Sequence, residues 1–193
     1  MNLPNKLTIL RIALAVVFVV LLFIPGLPAK IGALITFLAA SLTDLLDGYL
    51  AKKNGQITDF GILMDPIADK ILILSAFLAF VQMQLVEAWM VVIIIFREAV
   101  VTGLRVLALA KGKVIKADYA GKHKTVCQVF SVFVILLLVV FKEASPASWP
   151  ERVEALYRNT IFALMLITVT LTLISGVSYL VKNREVYTNA KEG

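Results

Sequence analysis

The chain of 193 residues is 60% hydrophobic and 17% charged, with a mean hydropathy of +0.91 and a formal net charge of +6. A water-soluble domain is about half apolar and about a quarter charged, so a soluble enzyme, a disordered chain and a collagen-like scaffold are excluded, and the single cysteine, Cys127, permits no intrachain disulfide. In so apolar a chain the positive surplus points to basic loops at a membrane rather than to nucleic acid.

A helix that crosses a bilayer needs about 20 mostly apolar residues. Apolar runs of that order extend from Leu7 to Ile24, Ile31 to Leu50, Gly61 to Val81, Ala88 to Ala110, Thr125 to Phe141 and Leu156 to Val181. Turn chemistry separates them: Pro25-Gly26-Leu27-Pro28 after the first, Lys52-Lys53-Asn54-Gly55 after the second, and Ser145 to Pro150 between the fifth and sixth. No repeat is visible, and Pro25 to Lys30 makes a poor signal-cleavage site. The pattern predicts an all-α integral membrane protein with six transmembrane helices, folded as one domain over residues 1–193.

With the N-terminus inside, Lys6, Arg11, Lys52, Lys53, Lys111, Lys113, Lys116, Lys122, Lys124, Lys182, Arg184 and Lys191 are cytoplasmic. Only Lys30, Lys142, Arg152 and Arg158 lie outside. Positive charge collects on the cytoplasmic side, so both termini are expected there.

Ionisable residues inside apolar runs are costly and mark function. Asp44 and Asp47 close the second run, and Asp65 and Asp69 open the third. Spacings of i,i+3 and i,i+4 put each pair on one helical face. A short connection then makes the two helices antiparallel neighbours and brings four carboxylates to one depth. Their mutual repulsion demands protonation or cations. Hard oxygen donors without His or Cys suit Mg²⁺, Mn²⁺ or Ca²⁺, and two such ions would balance four carboxylates and suit phosphoryl chemistry. Gly48, Ala51 and Gly61 leave room for a ligand or for a closely packed helix, and Pro66 loosens the first turn of the third helix. The competing reading of the four aspartates is a cation or proton path in a small transporter, which would sit nearer the midplane.

Written out, Asp44-x2-Asp47-Gly48-x2-Ala51-Lys52-x8-Gly61-x3-Asp65-x3-Asp69 resembles the signature of the CDP-alcohol phosphotransferase family, D-x2-D-G-x2-A-R-x8-G-x3-D-x3-D. Seven of eight fixed positions match; Lys52 replaces the usual Arg, keeping the charge but losing the planar two-pronged donor. Three weaker segments are similar to members that use glycerol 3-phosphate: Asn2 to Arg11, Arg97-Glu98 with Leu104-Arg105, and Gly121 to Thr125. The resemblance implies transfer of a phosphatidyl group from CDP-diacylglycerol to sn-glycerol 3-phosphate, yielding phosphatidylglycerol phosphate and CMP, with homodimers common. It also implies two divalent cations, Mg²⁺ or Mn²⁺, held by Asp44, Asp47, Asp65 and Asp69. Asp69 doubles as general base, and Gly48, Ala51, Lys52 and Gly61 line the CDP site. Thr8 either touches the nucleotide or caps the first helix. Sister enzymes of the family use inositol phosphate, serine or phosphatidylglycerol as acceptor.

An acceptor that carries phosphate needs cations beside the metals. Arg105 lies at the inner end of the fourth run, Arg97 lies about 12 Å deeper along the axis, and Lys122 belongs to the adjoining basic loop. These are the candidate acceptor-phosphate residues. The plainer alternative for either arginine is a structural pair with Glu98.

Overall fold

The structure, a computed structural model, describes the backbone of residues 3–54, 59–111, 119–145 and 149–188, and the side chains of residues 8–43, 68, 70–111, 124–145 and 149–187. The described residues form helices α1 (Leu3–Phe23), α2 (Leu27–Asn54), α3 (Asp59–Gln82), α4 (Ala88–Ala110), α5 (Tyr119–Ala144), α6 (Glu151–Lys182) and the short α7 (Glu185–Thr188). Each long helix corresponds to one predicted run; α1 stops one residue short of its run, at Phe23, and α4 has the predicted ends. The α1–α2 turn needs Gly26, whose φ of +99° lies in the left-handed region open to glycine. Its carbonyl accepts from the Ala29 and Lys30 amides at 3.2 and 3.3 Å, and its own amide donates to Glu143 Oε1 of α5 at 2.9 Å.

One core runs through the bundle. Phe18 of α1, Phe37 of α2, Phe77 and Phe80 of α3, Met90 and Ile94 of α4, Ile135 of α5 and Met165 of α6 are all fully buried in it. A smaller cluster joins α4, α6 and α7 through Val101, Leu104, Ala108, Tyr179 and Val186. There the Lys111 ammonium, at the end of α4, donates to the Val186 carbonyl at 2.6 Å. Burial of such side chains contributes about 1.5–3 kcal/mol each, enough to fix the helix order around the site.

Helices α2 and α3 touch, and among the described residues α1 packs against both more extensively than they pack on each other. One expectation needs correction here: the prediction of six transmembrane helices fails. Among the described residues only two helical stretches are long and apolar enough to cross a membrane, Lys124–Ala144 (21 residues) and Glu151–Lys182 (32 residues). Within the described side chains the apolar stretches of α1, α2 and α3 cover Thr8–Phe23, Leu27–Thr43 and Lys70–Gln82, below the roughly 20 residues a span requires. In α4, Arg97, Glu98 and Arg105 break up the apolar run. The exterior is nonetheless strongly apolar: Val16, Val20, Phe96, Val126, Phe130, Leu156 and Ile174 are all exposed, as a lipid-facing surface requires.

Candidate active site

Asp44 and Asp47 lie within α2, and Asp65 and Asp69 within α3, so both spacings fall on continuous helix. Pro66 lies inside α3 rather than in its first turn, because the helix starts at Asp59. The side chains of these aspartates, and those of Gly48, Ala51, Lys52, Gly61 and Lys122, lie outside the described residues. Among the described residues no three His, Cys, Asp or Glu come together.

What the described side chains do show is a group of cations beside the carboxyl-bearing end of α3. The residue after Asp69 is Lys70, whose ammonium donates to Thr102 Oγ1 of α4 at 2.5 Å. On α4, Arg97 is buried and its Nη1 donates to Glu98 Oε1 at 3.3 Å. The same carboxylate oxygen accepts from the buried ammonium of Lys124 on α5. Arg97 Nη2 crosses to α6 and donates to Ser175 Oγ at 2.8 Å. Two turns along α4, the exposed Arg105 donates from Nε to the Tyr179 hydroxyl at 3.2 Å, and its guanidinium lies 5.6 Å from the centre of that ring. Lys124 lies within Coulomb range of Arg97 and Lys70, and Arg97 within range of Arg105. Among the described residues Glu98 is the one carboxylate bonded into this set, and so many cations are costly in an apolar bundle without negative charge to balance them.

The arrangement sorts the expected residues. Arg97 and Arg105 both reach α6, at Ser175 and Tyr179, while Lys70, one residue past Asp69, reaches α4 at Thr102. The plainer pairing with Glu98 holds for Arg97, while Arg105 has Tyr179 instead. Lys122 belongs to the first turn of α5, not to a loop, because α5 starts at Tyr119. Lysine is a good helix former, so the helix runs on through the basic stretch. Thr8 is buried on α1, and Arg11, one turn further along, is fully buried rather than a loop charge. Because α1 lies against both α2 and α3, these two residues occupy the helix between the aspartate-bearing elements. Lys124 stands out only within the basic segment Gly121 to Thr125, and Ser175, Gly176 and Tyr179 are not singled out by the sequence. The signal that could have found these three is a small or polar side chain at i, i+1 and i+4 in an otherwise apolar run.

The described fold is an all-α bundle whose apolar exterior is that of a membrane-associated protein. The family model for CDP-alcohol phosphatidyltransferases matches residues 1–183, and the chain belongs to that family. It is similar to the CDP-diacylglycerol–glycerol-3-phosphate 3-phosphatidyltransferase of Bacillus subtilis, at 38% identity over 95% of this chain and 96% of the relative. The enzyme of that name from Rickettsia typhi is 38% identical over 92% of this chain and 94% of its own length. A probable phosphatidylglycerophosphate synthase of Mycobacterium tuberculosis is 36% identical over 94% and 81%. The chemistry of the family is phosphatidyl transfer from a CDP-linked substrate, and this chain is an enzyme of that type.

Proposed function

We propose that the enzyme transfers the phosphatidyl group of CDP-diacylglycerol to sn-glycerol 3-phosphate, releasing CMP and forming phosphatidylglycerol phosphate. The observation that carries this reading is the cation surplus that begins one residue past Asp69. Among the described residues Lys70, Arg97, Arg105 and Lys124, on α3, α4 and α5, have one bonded carboxylate, Glu98, between them. A phosphate-bearing acceptor suits such a group; serine, with an ammonium of its own, suits it less. The names of the Bacillus and Rickettsia relatives agree with that acceptor.

The donor set suits two divalent cations, Mg²⁺ or Mn²⁺: four carboxylates, all hard oxygens, on two helices at spacings that pair them. Held by Asp44, Asp47, Asp65 and Asp69, such ions would neutralise the pyrophosphate and the charge on departing CMP. The protein does the rest by placement and proton transfer. Gly48, Ala51 and Gly61 admit the CDP group, with Lys52 and Thr8 beside it. Arg97, Arg105 and Lys122, joined by Lys124, hold the acceptor phosphate. Asp69 accepts the proton of the glycerol hydroxyl as its oxygen bonds to the phosphorus that bears diacylglycerol. The bond from that phosphorus to the CMP oxygen breaks. Positioning and charge stabilisation supply most of the rate.

By the distribution of basic residues, both termini and the active site face the cytoplasm of a bacterial plasma membrane. The α5–α6 hairpin returns the chain to the side it left. Association as a homodimer is part of the proposal, on the family resemblance alone. The deciding assay incubates purified protein with CDP-diacylglycerol, Mg²⁺ or Mn²⁺ and a panel of alcohols, and measures CMP. Release is expected with glycerol 3-phosphate and is abolished by EDTA. Release with serine or inositol phosphate in its place would replace the acceptor, and full release in EDTA would remove the metals.

A further inference from the structure

We propose that Ser175 and Gly176 of α6 form a seat that positions Arg97, so that α6 sets how tightly the acceptor phosphate is held. The inference rests on the assignment of Arg97 to the acceptor phosphate. The Arg97 side chain leaves α4 and is only 8% exposed. Both terminal nitrogens are spoken for: Nη2 donates to Ser175 Oγ at 2.8 Å, and Nη1 to Glu98 Oε1 at 3.3 Å. Nε is also buried but has no partner among the described residues. A buried donor left unsatisfied is destabilising and rare in native proteins. The guanidinium is therefore pinned at its fork by one N–H of each terminal nitrogen, and three of its five N–H groups, that of Nε among them, remain for an incoming phosphate oxygen.

Two features of α6 make this geometry possible. A Cβ on residue 176 would stand 2.8 Å from Arg97 Cγ and 3.5 Å from its Nε, closer to Cγ than van der Waals contact allows. Cγ lies near the root of the side chain, so flexing the tip gives no relief. The arginine would have to change rotamer and withdraw its fork. The second feature is the hydroxyl of Ser175. Thr160, Thr168 and Thr170 of the same helix donate to carbonyls four residues back, whereas the Ser175 oxygen accepts from a neighbouring helix. Gly176 provides the space and Ser175 the direction. Both act through Arg97 and touch no substrate themselves.

The test compares Arg97→Ala, Gly176→Ala, Ser175→Ala and Ser175→Thr by KM for each substrate and by kcat. Arg97→Ala and Gly176→Ala are each expected to raise the KM for glycerol 3-phosphate roughly tenfold, the equivalent of one lost charge-assisted hydrogen bond. Ser175→Ala raises it about threefold, a neutral-sized loss, and Ser175→Thr, which keeps the hydroxyl, restores it. The KM for CDP-diacylglycerol stays unchanged throughout, a split that simple loss of packing would not produce. If Arg97→Ala shifts the acceptor KM while Gly176→Ala and Ser175→Ala do not, the seat is disproved and the phosphate assignment survives. If Arg97→Ala shifts nothing, both fall. Should Gly176→Ala fail to accumulate, the Ser175 pair decides alone.

Discussion

Two glutamates in this molecule each bridge two cations, and they differ in almost everything else. Glu98 joins Arg97 of its own helix to Lys124 of α5, with side chains 13%, 8% and 7% exposed. Glu154 joins Arg158 of its own helix to Lys142 of α5, at 30%, 68% and 41% exposed. Around Glu154 the cation also meets aromatic faces: the Lys142 ammonium lies 5.8 Å from the Trp149 ring centre and 4.8 Å from that of Tyr157. That cluster clasps the turn between α5 and α6, where aromatic and basic residues anchor helices at a membrane boundary. The Glu98 cluster has no such duty to perform at a surface. Charge kept out of water at that cost is what the proposed acceptor site would use.

Four substitutions probe the contrast, beginning outside both clusters. Asp69→Asn removes the proposed base next to the cationic group, and CMP release should fall by about 10²–10⁴-fold; near-wild-type turnover would cancel the assignment. Glu98→Gln strands two buried cations. It should destabilise the protein by about 3 kcal/mol, read as a lower thermal midpoint in detergent, and should raise the acceptor KM. An unchanged midpoint would mean that the cluster is better hydrated than its burial implies. Arg105→Ala, at the exposed edge of the cationic group, should raise the KM for glycerol 3-phosphate about tenfold and leave that for the liponucleotide in place; the reverse pattern would remove it from the acceptor pocket. Glu154→Gln breaks only the exposed pair, whose contribution is expected to be small. Turnover and both KM values should match the wild type, and a lost activity there would erase the distinction between the two clusters.

The sequence disclosed what depends on local pattern. Each apolar run became a helix, because periodic apolar residues between turn signals specify one. The aspartate spacing was readable because it lies within two helices. Long-range relations were not. Nothing in the runs of α1, α2 and α3 says that α1 packs against both of the others, since all three are apolar on most sides and any face could serve. The six spans were over-read for a related reason: apolar composition was visible, but the effect of Arg97, Glu98 and Arg105 on α4 was given too little weight. Ser175 and Gly176 passed unnoticed because small residues in an apolar helix serve helix packing by default. Their partner, Arg97, lies 78 positions away from Ser175.

The hydrogen bond from Lys111 to the Val186 carbonyl ties α7 to the far end of the helix that carries Arg105. Val186 also lies in one small cluster with Leu104 and Ala108. A truncation after Asn183, or a bulky fusion joined there, would strip this buttress and let the last turns of α4 fray. Purification tags on this enzyme belong beyond Thr188, or at the opposite terminus.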